Sequence, residues 1–166
     1  SDTTHYRAQL PARDSTAAGK RCTRYRLFRG GVRSVILFEG PKHLGGGAKA
    51  TDDDAGLRNM IDRAHAAGLC VVVGTITPRG NTPIVTWDAA KEAERQKLNG
   101  MLRALTDIEG IADFDKVMAS PLDANQPNPL YYFPDQLHPT TVGTQVMANA
   151  VPIEALVPPP MGRCSR

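Results

Sequence analysis

Long apolar runs are missing from the chain. No stretch approaches the roughly 18 consecutive apolar residues of a membrane-spanning helix, so the sequence reads as soluble with no membrane span. Cysteine is scarce as well. Cys22, Cys70 and Cys164 lack the close spacings that hold zinc, and neither a metal nor a cofactor is expected. Cys70 opens an apolar run and reads as a buried small hydrophobe, which leaves Cys22 and Cys164 as the pair that would bridge if the protein is secreted. The start has neither an initiator Met nor the charged, apolar and small-residue pattern of a signal peptide, as expected of a processed form or a fragment.

Excess charge is also lacking. Twenty Lys and Arg against seventeen Asp and Glu give a net +3, too little to imply a polyanionic partner. The distribution is uneven, because residues 1–33 hold eight of the basic side chains and only two acids, Asp2 and Asp14. That basic arm contains no nucleic-acid-binding module and sets only Tyr6, Tyr25 and Phe28 among its charges, so no nucleic-acid partner is expected. The 166 residues, 41% of them hydrophobic, suit one domain. We place that domain at residues 1–157, with 1–32 atypical and patternless, and expect 158–166 to form an extended tail beginning in Pro158-Pro159-Pro160.

From Val35 a legible pattern begins. Val35-Ile36-Leu37-Phe38 is continuously apolar and predicts a strand buried on both faces, followed by a flexible loop at Gly45-Gly46-Gly47. Asp52, Asp53 and Asp54 precede Leu57, Met60, Ile61 and Ala64, the spacing of an amphipathic helix with acids at its positive end and Gly68 beyond its close. A second buried strand is predicted at Cys70–Ile76, stopped by Pro78. Asp88 is placed to cap a helix bearing Leu98, Met101, Leu102 and Leu105, and a short strand is predicted from Ile111 to Val117. Five prolines between Ser120 and Pro139 exclude an ordinary helix or central strand and predict a long ordered loop. Thr140 or Thr141 then caps a last helix through Val142 and Val146, ended by Pro152. Strands and helices that alternate in this way argue for an α/β fold of three layers, α/β/α, around a flavodoxin-like parallel sheet, with its N-terminal elements not legible in this chain.

In open parallel sheets, sites lie beyond the carboxyl ends of the strands. That rule selects Glu39 to His43, Thr75 to Pro78, and the proline-rich loop with Asp135-Gln136-Leu137-His138-Pro139. A carboxylate three residues before a histidine fixes the imidazole tautomer and stabilises its cation. An isolated Asp-x-x-His is more often a turn, but this one has company. Asp135 to Ala148 resembles the last sequence block of the SGNH (GDSL-type) serine hydrolases, Asp-x-x-His-Pro followed by capping residues, a glycine and an apolar helix. Val35 to Gly40 is similar to the strand and glycine that open the family's third block, and Gly74 to Pro78 and Ile111 to Asp115 follow in the family's order. The resemblance covers about residues 33–151.

It implies an ester hydrolase, an esterase or lipase working through an acyl-enzyme on a small-molecule or carbohydrate ester. His138 would be the general base and Asp135 the residue that orients it. Lys42 stands where the family places an Asn that donates to the oxyanion, and the neighbouring His43 reads as a solvated loop histidine. Asp14-Ser15-Thr16 resembles the block that holds the nucleophile and points to Ser15. A competing alignment makes Ala18-Gly19-Lys20-Arg21 the second block, with Gly19 as an oxyanion donor and the serine then missing. Two alternatives stay open beside turnover: an impaired relative that binds a carbohydrate or acyl ester, and a flavodoxin-like phosphate binder, for which no phosphate loop is found. Which ester is cleaved, the oligomeric state and the compartment are not readable.

Overall fold

Val71, Val72 and Val73 are fully buried, and they form the middle of the central strand of a three-stranded parallel sheet. The computed structural model describes residues 31–80, 86–157 and 164. Strand β1 is Ser34–Leu37, β2 is Cys70–Gly74 and β3 is Gly110–Ala112. They lie in the order β1-β2-β3, with Val35 opposite Val71 and Val73 opposite Ile111. Helix α1 (Pro41–Gly45) and helix α2 (Ala50–Ala66) connect the first two strands, and α3 (Ala89–Arg103) connects the second to the third. The short helix α4 (Phe114–Met118) follows β3, and α5 (Thr141–Asn149) and a 3-10 turn (Ile153–Leu156) complete the described chain.

The side chains of β2 alternate between two apolar layers, as the pleat requires. Val71 and Val73 pack with Leu57, Ile61, Leu98 and Leu102 of α2 and α3. Val72 faces the other way, onto Ala112 and Phe114, with Met147 and Leu156 closing that side. Full burial contributes about 1.5–3 kcal/mol for each such valine. Helices therefore cover both faces of the sheet, and the fold is the flavodoxin-like three-layer α/β arrangement.

Several local expectations need correction. Strand β1 is only half-buried except at Leu37, because it lies at an edge of the described sheet. Gly45 closes helix α1 rather than lying in a flexible loop, with Pro41 in the first turn where its missing N–H costs nothing. Gly40 precedes that helix at φ +119°, and a Cβ there would sit 3.0 Å from Ile76 Cδ1, so both conformation and space call for glycine. The strand predicted from Ile111 to Val117 ends at Ala112, because the Asp113 carboxylate accepts from Lys116 N at 3.2 Å and caps α4 instead. Cys70 is buried but is not a free thiol: it is disulfide-bonded to Cys164. The pairing of Cys164 with Cys22 is thereby excluded, and Cys22 lies outside the described residues. No helix among the described residues is long and apolar enough to cross a membrane.

A polar cluster at the carboxyl end of β2 holds the loop that follows. Arg95 is fully buried; it donates to Ile76 O at 2.8 Å, to Glu92 Oε1 at 2.6 Å and to Asp115. Arg103 adds bonds to Asp113 Oδ1 at 2.7 Å and Asp115 Oδ2 at 2.8 Å. Thr75 donates to Asp113 at 3.0 Å, and Asn99 accepts from Ile76 N at 2.7 Å and donates to Ile76 O at 2.9 Å. Burial works against the Arg95 cation, and its bonds to Glu92 and Asp115 outweigh that cost and raise its pKa. Truncating one partner of such a group strands the other without solvent. Arg95→Met is therefore expected to destabilise the fold by about 3–5 kcal/mol, measured as the shift in a urea-unfolding midpoint at constant slope.

Candidate active site

The segment from Ser120 to Pro139 is the long irregular connection that its prolines require, and its last part folds back on itself. Tyr132 and Pro139 form an antiparallel bridge. On either side of it Thr140 N donates to Tyr131 O, and Phe133 N to His138 O, both at 2.9 Å. The tip turns through Gln136, whose φ of +51° is left-handed and whose N–H donates to Phe133 O at 2.9 Å. Helix α5 anchors the return arm. Thr140 accepts from Gly143 N at 3.2 Å as its N-cap, and a Cβ on Gly143 would lie 2.1 Å from Tyr131 O. Only glycine lets the hairpin approach the helix so closely.

Asp135 and His138 meet at this tip, as their spacing predicted. Asp135 Oδ1 accepts from the backbone N–H groups of Leu137 and His138, each at 3.0 Å, and its Oδ2 lies 2.6 Å from His138 Nδ1. The backbone bond from His138, then its imidazole, then the Leu137 N–H stabilise the carboxylate and lower its pKa to about 2. An ionised carboxylate can only accept, so His138 Nδ1 carries the proton and Nε2 is the basic nitrogen. The His138 and Asp135 side chains remain 58% and 45% exposed, so the pair sits at the surface and Nε2 is not walled in by core packing.

The sign of the pH effect follows from that depressed pKa. The ion-paired carboxylate is present above the ordinary value of 3.8 and is lost as pH falls towards 2. Asp135 is thus expected to remain ionised at pH 3, where an unperturbed carboxyl is mostly protonated. A carboxyl-carbon NMR titration checks this, and a midpoint near 3.8 would contradict the geometry.

The hairpin packs against the loop leaving β2. Tyr132 is buried, and burial raises its pKa to about 12, so it stays a neutral phenol. Gln136 lies directly over Gly80, where a Cβ would fall 1.5 Å from Gln136 Oε1. Arg79, next to Gly80 in that loop, is buried, donates to Pro41 O at 3.1 Å and stacks 5.1 Å from the Trp87 ring. Burial lowers the Arg79 pKa and the charge of Asp135 opposes that shift. The loops after β1 and β2 and the Asp-His hairpin therefore converge at the carboxyl end of the sheet.

The other expected residues divide. Lys42 stands in the first turn of α1 with an exposed side chain. His43 is not solvated: its Nδ1 lies 2.7 Å from Asp53 Oδ1, with side chains 13% and 10% exposed, because the start of α2 folds back over α1. Burial raises the pKa of Asp53, with His43 opposing the shift. Ser15 and Gly19 lie outside the described residues. Tyr132, Arg79 and Phe133 were not singled out from sequence. The run of three aromatics Tyr131-Tyr132-Phe133 in a proline-rich loop was the available signal for the first and last. No cluster able to hold a metal is found among the described residues.

A parallel α/β sheet with a histidine-carboxylate pair beyond its strand ends defines a hydrolase-type scaffold. Residues 1–146 match the GDSL-like Lipase/Acylhydrolase family, and the chain belongs to that family. The matched span takes in the N-terminal segment, beyond the resemblance at residues 33–151. The structure is similar to that of a GDSL-like lipase from Bacteroides thetaiotaomicron VPI-5482, with a TM-score of 0.63 and 18% identity over 74% of this chain and 61% of that one. At such identity the likeness concerns the fold, and this chain spans about three fifths of that protein's length. No curated protein matches the sequence.

Proposed function

We propose that the protein hydrolyses carboxylic esters through an acyl-enzyme, with His138 as general base and acid, Asp135 as its orienting partner and Ser15 as nucleophile. The observation that carries this reading is the 2.6 Å contact between Asp135 Oδ2 and His138 Nδ1, which leaves Nε2 basic. Family membership supplies the reaction class. His138 Nε2 takes the serine hydroxyl proton as Oγ bonds to the ester carbonyl carbon. The tetrahedral oxyanion then re-forms the carbonyl and expels the alkoxide, which takes that proton from His138. Water, deprotonated by the same nitrogen, releases the acid and restores the serine. In the alignment that makes Ser15 the nucleophile, Lys42 stands in place of the family's oxyanion amide, for which a mobile ammonium is a poor substitute; the Gly19 N–H belongs to the competing alignment, in which the serine is missing.

A fluorophosphonate tests this directly. Incubation is expected to add one phosphonyl group to the intact mass, to map to the peptide containing Ser15, and to abolish ester cleavage in parallel. An adduct on another serine reassigns the nucleophile, and no adduct while ester is being turned over overturns the serine mechanism.

A further inference from the structure

In an antiparallel hairpin, directly opposed residues present their side chains on the same face, with Cβ atoms about 4.5–5.5 Å apart. Tyr132 is paired with Pro139, so Phe133 is opposed to His138, and the Phe133 N to His138 O bond of 2.9 Å joins that pair. Tyr132 is 5% exposed and points into the fold. Phe133, the next residue, is 53% exposed, and the register sets it on the face that carries His138. An aromatic ring left half in water has not been recruited to the core. The side chain set opposite the base is therefore an exposed aromatic ring.

We propose that Phe133 is a specificity-determining residue that holds the leaving alcohol of the ester and selects apolar alkyl or aryl alcohols. This rests on the acyl-transfer reading above. The alcohol is the part concerned because its oxygen receives the proton from His138, which brings that group, rather than the acyl chain, onto the face shared by the imidazole and the ring. The Phe133 ring offers apolar contact area and no polar partner, which favours a hydrocarbon over a sugar, whose hydroxyls require fixed polar partners.

Hexyl acetate and ethyl acetate share an acyl group and have nearly equal chemical reactivity, so their kcat/KM ratio isolates recognition of the alcohol. Phe133→Ser is expected to lower kcat/KM for hexyl acetate by about tenfold, chiefly through KM, and to change ethyl acetate less than about twofold. Phe133→Leu is expected to restore most of the preference for hexyl. The ring is half-exposed, and unchanged circular dichroism will confirm that each variant is folded. A ratio that is the same in wild type and Phe133→Ser, with hydrolysis intact, overturns the proposal and leaves the esterase reading standing. Binding of hexyl acetate to His138→Ala, followed by saturation-transfer NMR with and without Phe133→Ser, needs no turnover. Binding weakened by the serine substitution, where the wild type hydrolyses neither ester, supports the subsite and removes the hydrolytic reading. Binding that ignores the substitution, or is absent, overturns the subsite.

Discussion

Replacing Asp135 with asparagine is expected to lower kcat/KM for a simple ester by about 10⁴-fold, and His138→Ala by at least as much. The asparagine result is the more informative, because its shape is conserved. In the wild type one carboxylate oxygen accepts from the backbone N–H groups of Leu137 and His138, both at 3.0 Å. An asparagine will keep its carbonyl oxygen on those two donors and turn its amide towards His138 Nδ1. A donor facing Nδ1 forces that nitrogen to accept, which moves the ring proton to Nε2 and removes the base from the substrate side. The fold is expected to be unaffected, since both side chains are about half exposed. Steady-state kinetics on an activated ester together with a thermal melt check both halves. Asp135→Asn with near-wild-type kcat/KM would show that the pair organises a turn and nothing more.

How much of this was legible in the chain depends on whether the determining interaction is local. The middle of β2 and the bodies of α2 and α3 were readable because burial repeats along the element itself, in three consecutive valines or in Leu57, Met60, Ile61 and Ala64. The dyad was readable for the same reason: Asp135, its two backbone donors and His138 lie within four residues. What misled was set by distant partners. His43 is largely covered rather than solvated because Asp53, ten residues on, closes over it. Cys70 pairs with a cysteine 94 residues away, a distance that composition cannot report. Asp113 and Asp115 were read as part of a strand, yet Asp113 caps α4, Asp115 lies in its first turn, and the two balance Arg95 and Arg103 from another element. Phe133 acquires meaning only once the hairpin register sets it opposite His138.

The position of Lys42 leads to a second large effect, of the opposite sign. By the sequence resemblance it stands where the family's asparagine donates to the oxyanion, and it lies in the first turn of α1 just past the carboxyl end of β1. Gly40 at φ +119° and Pro41, whose carbonyl is held by Arg79 at 3.1 Å, fix the backbone on which that residue is mounted. The mount is rigid while the lysine on it is exposed and has four rotatable bonds, so its ammonium must be ordered and partly desolvated in each transition state. A short amide on the same backbone carries far less of that entropic cost, and preorganised donors are the ones that accelerate acyl transfer. One well-placed oxyanion donor is worth about 100- to 1000-fold in rate. Lys42→Asn is therefore expected to raise kcat by about 100-fold, the lower end of that range, with little change in KM, because the oxyanion forms only after binding. The increase should vanish in a Lys42→Asn, His138→Ala double variant, which separates a restored oxyanion hole from a new binding contact. A fall in kcat for Lys42→Asn would instead assign the ammonium itself as the working donor, and Lys42→Arg would then be expected to retain more activity than Lys42→Met.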